Sequence, residues 1–207
     1  LLATADVVVD NFRPGVMADM GFDWPRLSAL RLGMIQTSLS GFGERGPYAD
    51  RPAFDFIAQA MSGFMSCTGT LEIGPMRSGA PISDLVAGLY AALGTVAALY
   101  RRTRTGQGER VGVAMVDGLL SLGAFLNTNF LATGQLPVAT GNDHALVAPY
   151  GLFMAQDGEI AIAPSNDGVY AKFLQVLDLT ALLAHPDFRT NDLRVQHRTA
   201  INTLINA

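Results

Sequence analysis

The sequence predicts an α/β fold: a Rossmann-like parallel sheet with flanking helices, followed by the start of a smaller α+β domain. Short β-branched runs alternate with helical segments early in the chain, which is the order that builds a parallel sheet. Apolar residues make up 49% of the chain and charged residues only 15%, so much surface must be buried. We expect a large α/β domain over residues 1–135, then a linker and part of a smaller domain over residues 136–207.

The first elements follow from short sequence runs. The β-branched run ADVVVDNF is typical of a buried parallel strand. Pro14 favours a short helix after it, since the fixed φ of proline suits a first turn. A second helix is predicted around Trp24 to Leu30, and a second strand in GMIQTSLSGFG. The spacing of apolar residues in AFDFIAQAMSGFMSCTG predicts a further helical segment.

The later elements include the longest predicted helix. It starts within GAPISDLVAGLYAALG and should run to about Arg104, because Thr105-Gly106 follows. ERVGVAMVDGLLSLGAFLNTNFLATG predicts a strand that passes into a third long helix. YGLFMAQDGEIAIAPSNDG alternates like a β-hairpin with Asp157-Gly158 at its turn. Two helical segments with a break at His185-Pro186 complete the chain.

Charge and composition argue against several classes of function. The net charge is −4 without a basic stripe, so nucleic acid is not an expected partner. Apolar runs are interrupted before reaching the ~20 residues that a membrane span needs, so no membrane association is expected. Cys67 is the only cysteine, which suits a cytoplasmic location. The three histidines lack ligand spacing, and no metal site is predicted. The ends of the sequence resemble those of a piece of a longer chain.

Asp84 has two interpretations that the local pattern does not separate. It stands at the start of the long apolar helix, where an aspartate commonly caps the backbone and contributes about 1 kcal/mol. A helix N-terminus also keeps a carboxylate ionised, as a nucleophile requires. Gly79, Ala80 and Gly88 would leave space for a bulky group to approach.

The DNFRPG segment is a second candidate site. It follows a predicted parallel strand, and open α/β sheets bind ligands at the carboxyl ends of their strands. Asn11 offers hydrogen-bond donors and an acceptor, Arg13 offers a cation, and the next helix offers its N-terminal dipole to an anion. The alternative is that Asn11 and Pro14 only shape a turn.

Together these segments resemble a known family. The blocks ADVVVDNFRPGVMADMGFDW, SLSGFGERGPYADRPAFDFIAQAMSG, PISDLVAGLYAALGTVAALYRRTRTGQGERVGVAMVDGLL and GNDHALVAPYGLFMAQDGEIAIA are similar, in order, to the class III CoA-transferases. This is the CaiB/BaiF family, which includes formyl-CoA transferase. The resemblance implies a longer chain with a discontinuous α/β domain, and two such chains that interlock as a homodimer.

The resemblance also implies roles for individual residues. Asp84 falls on the catalytic aspartate of the family, which forms a mixed anhydride with the acyl group and then a thioester with CoA. Coenzyme A is thus implied as a substrate, together with an acyl donor and a carboxylic acid acceptor, without a metal. The residues on two segments implied to contact CoA are Asn11, Phe12 and Arg13, and Ala53, Phe54 and Asp55.

Two rival functions remain open at this stage. The related acyl-CoA racemases carry a histidine where this chain has Phe54, and racemisation needs two acid/base groups at the α-carbon. Phe54 therefore favours transfer, although Asp84 could act as a base with another acid such as His144. The other rival is a truncated, non-catalytic CoA-binding module in which Asp84 only caps its helix. Some relatives also have a basic residue that lines the CoA site, and this chain has no basic residue at the matching position near Asp19. The corresponding contact with the nucleotide of CoA is therefore not implied here.

Overall fold

The computed structural model describes residues 1–206, which form two compact units. The first unit comprises Leu1–Gly69 and Ile73–Pro137, and the second comprises Thr70–Glu72 and the chain from Val138 onward. Their assignment as a CoA-binding domain and part of a smaller domain stays a prediction.

A three-stranded parallel sheet organises the first unit. Its strands are β1 (Val7–Asp10), β2 (Ile35–Ser40) and β5 (Arg110–Ala114), in the order β1-β2-β5. Both strand pairs are parallel, as predicted from the alternation of strands and helices. The α/β fold class is confirmed. Two further strands of two residues each, β3 (Gly69–Thr70) and β4 (Gly74–Pro75), occur between β2 and β5 along the chain.

Six helices belong to the first unit. They are α1 (Val16–Asp19), α2 (Trp24–Leu30), α3 (Asp55–Met61), α4 (Ile82–Thr105), α5 (Met115–Leu122) and α6 (Ala124–Thr133). A 3₁₀ turn at Phe64–Cys67 follows α3. Helix α2 begins after Asp23, whose side chain accepts a hydrogen bond from the Arg26 amide at 3.1 Å.

The predicted third long helix is wrong, because the structure divides it at Gly123. Ala124 adopts a positive φ of 39°, which interrupts the regular helical path between α5 and α6. The side chain of Asn127 donates a hydrogen bond to the Leu120 carbonyl oxygen. The same oxygen also accepts a hydrogen bond from the Gly123 amide at 3.1 Å, so the end of α5 is held by both a backbone and a side-chain donor.

Helix α4 packs closely on the sheet through small side chains. Ala87, Ala91 and Ala98 are buried, and the Thr95 hydroxyl lies 2.7 Å from the Thr37 hydroxyl of β2. At Gly94 the approach leaves no room for a side chain, since a Cβ there would lie 2.7 Å from Cγ1 of Val111. Ala87 also joins a core cluster with Ala58, Met115 and Leu119.

The outward face of α4 is apolar and exposed. Its side chains, here called the α4 apolar stripe, are Leu85, Leu89, Leu93, Val96 and Tyr100. An 18-residue stretch of this 24-residue helix has a mean hydropathy of 1.7, so by length and composition alone the helix could span a membrane. The part of the helix without a charged residue extends only from Leu85 to Tyr100, which is shorter than the ~20 residues of a membrane span, so the expectation of no membrane association stays a prediction. The helix continues through Gly88 and Gly94, which do not interrupt it.

The second unit contains a hairpin and three helices around a small core. The hairpin strands are β6 (Gly151–Ala155) and β7 (Gly158–Ile162). Ala155 pairs with Gly158, so the turn residues are Gln156-Asp157, one position earlier than predicted. The helices are α7 (Asp167–Val176), α8 (Asn191–Gln196) and α9 (Arg198–Ile205), with a 3₁₀ turn at Thr180–Ala184 before the predicted break. The buried core cluster consists of Tyr170, Leu174, Phe188 and Ile201.

We predict that Gly108→Ala destabilises the first unit. A Cβ at Gly108, two residues before β5, would lie 1.7 Å from the Met34 carbonyl oxygen, so the backbone must shift. Overpacking of this kind costs about 1–3 kcal/mol. Thermal unfolding followed by circular dichroism should show a lower midpoint.

Gly88→Ala is the matched control for this substitution. Gly88 lies within α4, and nothing is within 4 Å of a Cβ built there. Alanine favours a helix over glycine by about 1 kcal/mol, so this variant should melt at the same temperature or higher. Equal midpoints for Gly108→Ala and the parent protein would contradict the proposed clash.

Candidate functional site

A cavity of about 410 Å³ lies in the first unit at the carboxyl ends of the parallel strands. This is the edge at which open α/β sheets bind ligands. Its walls come from the loop after β1, the end of β2, the segment before α3, and the starts of α4 and α5. The lining residues are Asn11, Phe12, Arg13, Pro14, Leu39, Ser40, Gly41, Arg51, Pro52, Ala53, Phe54, Asp84, Ala87 and Met115.

Asp84 contributes a carboxylate to this cavity and does not cap its helix. It is the third residue of α4, whose N-cap position is Pro81 without a side-chain capping bond. Among residues 1–206, no protein group forms a hydrogen bond or ion pair with the Asp84 carboxylate, and the side chain is exposed. Of the two interpretations that the sequence leaves open, capping is therefore excluded.

The cap of α4 is supplied from another helix by Asp55. Its Oδ1 accepts hydrogen bonds from the Ser83 amide at 3.0 Å and from the Ser83 hydroxyl at 2.8 Å. Its Oδ2 accepts from Nε2 of Gln59 at 2.7 Å. Asp55 is absent from the cavity lining, unlike Ala53 and Phe54 beside it. The structure thus places its carboxylate between α3 and α4.

The pKa of Asp84 is raised above its ordinary value of 3.8. Partial burial disfavours the charged carboxylate, and the neighbouring negative charge of Asp55 adds to this effect. A more basic carboxylate is a better nucleophile once it is ionised.

The loop after β1 places Asn11, Phe12 and Arg13 along one wall of the cavity. The following helix, α1, has only four residues, so the helix dipole expected from the sequence is weak here. Arg13 supplies the positive charge on this wall.

Sequence reasoning missed a second cation, Arg51. It lines the same cavity, and its guanidinium carbon lies 4.5 Å from the centre of the Tyr48 ring. Ser40 was also missed, although it ends β2 and so follows the same rule that pointed to Asn11. Nothing in the local sequence marks Arg51, because a loop of irregular conformation brings it to the cavity.

His144 belongs to the second unit. Its Nδ1 accepts a hydrogen bond from the Leu146 amide at 3.1 Å, and its ring centre lies 5.1 Å from that of Tyr150. Its suggested role as an acid stays a prediction. The part of the chain that the structure describes contains no group of three His, Cys, Asp or Glu residues able to hold a metal ion.

The arrangement combines an unpaired carboxylate with nearby cations. Asp84 can attack an electrophilic carbonyl carbon, while Arg13 and Arg51 can bind anionic groups of the molecule that carries it. Ala53, which is half-buried, and Phe54, which is exposed, give the cavity an apolar wall beside these charges.

Comparisons with known proteins agree with this picture. CoA-transferase family III matches residues 1–207. A succinate–glutarate CoA-transferase from Agrobacterium fabrum is 35% identical over 100% of this chain and 52% of its own length. An acetyl-CoA:oxalate CoA-transferase from Acetobacter aceti is 38% identical over 99% of this chain and 53% of its own length. The chain thus spans about half the length of the curated relatives it matches.

A solved structure gives the same result for the fold. A CaiB/BaiF family protein from Brucella suis superposes with a TM-score of 0.83 at 36% identity. The match covers 99% of this chain and 54% of that protein. On the sequence match, the shared fold and the cavity at the carboxyl ends of the strands, the chain belongs to CoA-transferase family III.

Proposed function

We propose that the protein carrying this chain transfers CoA from an acyl-CoA donor to a carboxylic acid acceptor, with Asp84 as the covalent nucleophile. The observation that carries the proposal is the Asp84 carboxylate, which lines the cavity without a hydrogen-bond or ion-pair partner among residues 1–206. A carboxylate that only stabilised the fold would be bonded to a neighbour, as that of Asp55 is.

The proposed reaction exchanges thioester and anhydride bonds. An Asp84 carboxylate oxygen attacks the thioester carbonyl carbon and the carbon–sulfur bond breaks, which gives an aspartyl–acyl anhydride and releases CoA as a thiolate. The thiolate then attacks the aspartyl carbonyl, which releases the donor carboxylate and leaves an aspartyl-CoA thioester. The acceptor carboxylate attacks this thioester, its carbon–sulfur bond breaks, and a new anhydride forms while CoA leaves again as a thiolate. The returning thiolate attacks its acyl carbon, which yields the new acyl-CoA and frees Asp84.

Every bond that breaks in this sequence is replaced by one of similar energy. The scheme consumes no ATP and includes no metal ion. CoA is transferred from the donor acyl group to the acceptor acyl group. Its thiolate departs and returns during this transfer, so the cavity must hold CoA throughout. The chain offers Asn11, Phe12 and Arg13 on one wall and Ala53 and Phe54 on another for this purpose. Arg13 and Arg51 provide charges suited to phosphate or carboxylate groups.

We further propose a homodimer located in the cytoplasm. The α4 apolar stripe supports the dimer, because five exposed apolar side chains on one helix face form a surface that water disfavours. The single cysteine, Cys67, is compatible with a reducing compartment.

The first prediction of this proposal concerns covalent trapping at Asp84. The full-length protein, incubated with a panel of acyl-CoA thioesters and then hydroxylamine, should carry a hydroxamate at residue 84 that mass mapping locates. Asp84→Asn should fold normally, because Asp84 does not cap α4, and should carry no adduct. Asp117→Asn is the matched control, since Asp117 is an exposed aspartate in the first turn of α5 outside this cavity.

Three outcomes separate the functions. A hydroxamate in the parent and in Asp117→Asn, but not in Asp84→Asn, supports covalent CoA transfer. Solvent deuterium that enters the α-carbon of an acyl-CoA without transfer would instead support a racemase. CoA binding without turnover or adduct would support a non-catalytic binding module.

The second prediction concerns the cation beside Asn11. Arg13→Gln removes a positive charge from the cavity wall, so KM for acyl-CoA should rise by about tenfold or more, since a charge-assisted hydrogen bond contributes about 1.5–3 kcal/mol. Steady-state kinetics at two salt concentrations should show that the effect shrinks at high salt. Arg45→Gln, which neutralises an exposed arginine outside this cavity, should leave KM unchanged. Equal KM values for Arg13→Gln and the parent would remove Arg13 from the binding site.

The third prediction is an acid limb in the rate. Only ionised Asp84 attacks, so kcat should fall as pH drops through the pKa of Asp84. Burial and Asp55 both raise that pKa, so the midpoint should lie above 3.8. Rates measured over the range in which circular dichroism shows intact folding test this. A rate that stays constant down to pH 3.8 would contradict the raised pKa.

A further inference from the structure

We propose that Asp55 is a positioning residue: its carboxylate holds the first turn of α4, and with it Asp84, in the geometry needed for attack. This inference rests on the proposed function of Asp84. It differs from the role that the family resemblance implies for Asp55, which is contact with CoA. The carboxylate of Asp55 is instead occupied by hydrogen bonds within the protein.

The bonds to Ser83 fix the residue next to Asp84. Both the amide and the hydroxyl of Ser83 donate to Oδ1 of Asp55, at 3.0 and 2.8 Å. Ser83 is completely buried, so water does not replace these bonds. The first turn of α4 has no side-chain cap of its own, because its N-cap residue is Pro81. Asp55 therefore determines where this turn lies relative to α3.

The bond to Gln59 extends the arrangement to the loop before α4. The Ser78 amide donates to Oε1 of Gln59 at 2.8 Å, which leaves Nε2 of Gln59 to donate to Oδ2 of Asp55 at 2.7 Å. Gln59 is fully buried. Because a backbone amide can only donate, the orientation of the Gln59 side chain is fixed, and residue 55 must accept every bond. A carboxylate meets this requirement and an amide does not.

The charge of Asp55 acts on Asp84 as well. Asp55 on α3 interacts electrostatically with Asp84, and Arg13 and Arg51 line the cavity that contains the Asp84 carboxylate. Asp55 is the negative one among them, and its effect is to keep the Asp84 carboxylate more basic. Position and basicity of Asp84 thus depend on the same side chain.

A polarity swap in the full-length protein tests the inference. Asp55→Asn places the Nδ2 donor of the new amide against the Nε2 donor of Gln59, and Gln59→Glu alone places two carboxylates together. The double variant Asp55→Asn/Gln59→Glu restores a donor facing an acceptor, keeps the net charge, and still accepts from the Ser78 and Ser83 amides. We expect kcat to fall by about tenfold to a hundredfold in each single variant, as for a misplaced nucleophile. The double variant should regain most of this loss, with KM for acyl-CoA within about twofold throughout.

The pH dependence of kcat is a second measurement, and a purely structural role of Asp55 would leave it unchanged. In Asp55→Asn the negative charge next to Asp84 is gone, so the acid limb of kcat should shift to lower pH. Asp192→Asn makes the same chemical change in the first turn of α8 and should alter neither kcat nor the acid limb.

Several results would overturn the inference. One is an unchanged kcat in folded Asp55→Asn, and another is a raised KM with constant kcat, which would return Asp55 to direct CoA contact. Should Asp55→Asn not fold, the comparison is between Gln59→Glu and the double variant, and an equal kcat in these two contradicts the inference. Failure of the proposed function looks different, because the parent protein would then form no adduct at residue 84.

Discussion

The close packing of α4 on the parallel sheet is the contact on which the candidate site depends. Gly94 and the buried alanines allow the helix to lie directly against β2 and β5, with the Thr95 and Thr37 hydroxyls in contact. A larger side chain on this face would push the helix outward. Since Asp84 is in the first turn of the same helix, the depth of packing also sets how far its carboxylate extends over the ends of the strands.

Helices α3 and α4 each contribute one carboxylate to the structure of the site. Helix α4 carries the reactive carboxylate, and α3 supplies the carboxylate that caps it. Both groups are aspartates at helix starts. The Asp55 carboxylate accepts three hydrogen bonds, whereas the Asp84 carboxylate lacks a partner in the described part of the chain. The different chemistry of two identical side chains therefore follows from their surroundings. A half-buried acceptor with three donors is held in place, and an unpaired carboxylate in a cavity is available to react.

Much of the fold could be predicted because its signals are local. The β-branched run before Asn11, the cap at Asp23 and the glycine that ends α4 each act over a few residues. The position of Asn11 and Arg13 beside Asp84 was accessible only through the resemblance to a family and the rule for strand ends. Neither the break at Gly123 nor the cap supplied by Asp55 was predicted. Residues 55 and 83 are far apart in sequence, and no local pattern shows that one caps the other.

The register of the sheet has a consequence for how the chain folds. Gln36 of β2 pairs with Arg110 of β5, so all of α3 and α4 lies between these neighbouring strands along the chain. Closing such a long connection is slow, because its entropy is lost before the pairing contributes stability. The cavity uses residues from the ends of β1 and β2, from α4, and from Met115 directly after β5. It can form only after this longest-range pairing, so kinetic trapping before β5 docks would yield compact molecules that contain Asp84 and no cavity around it.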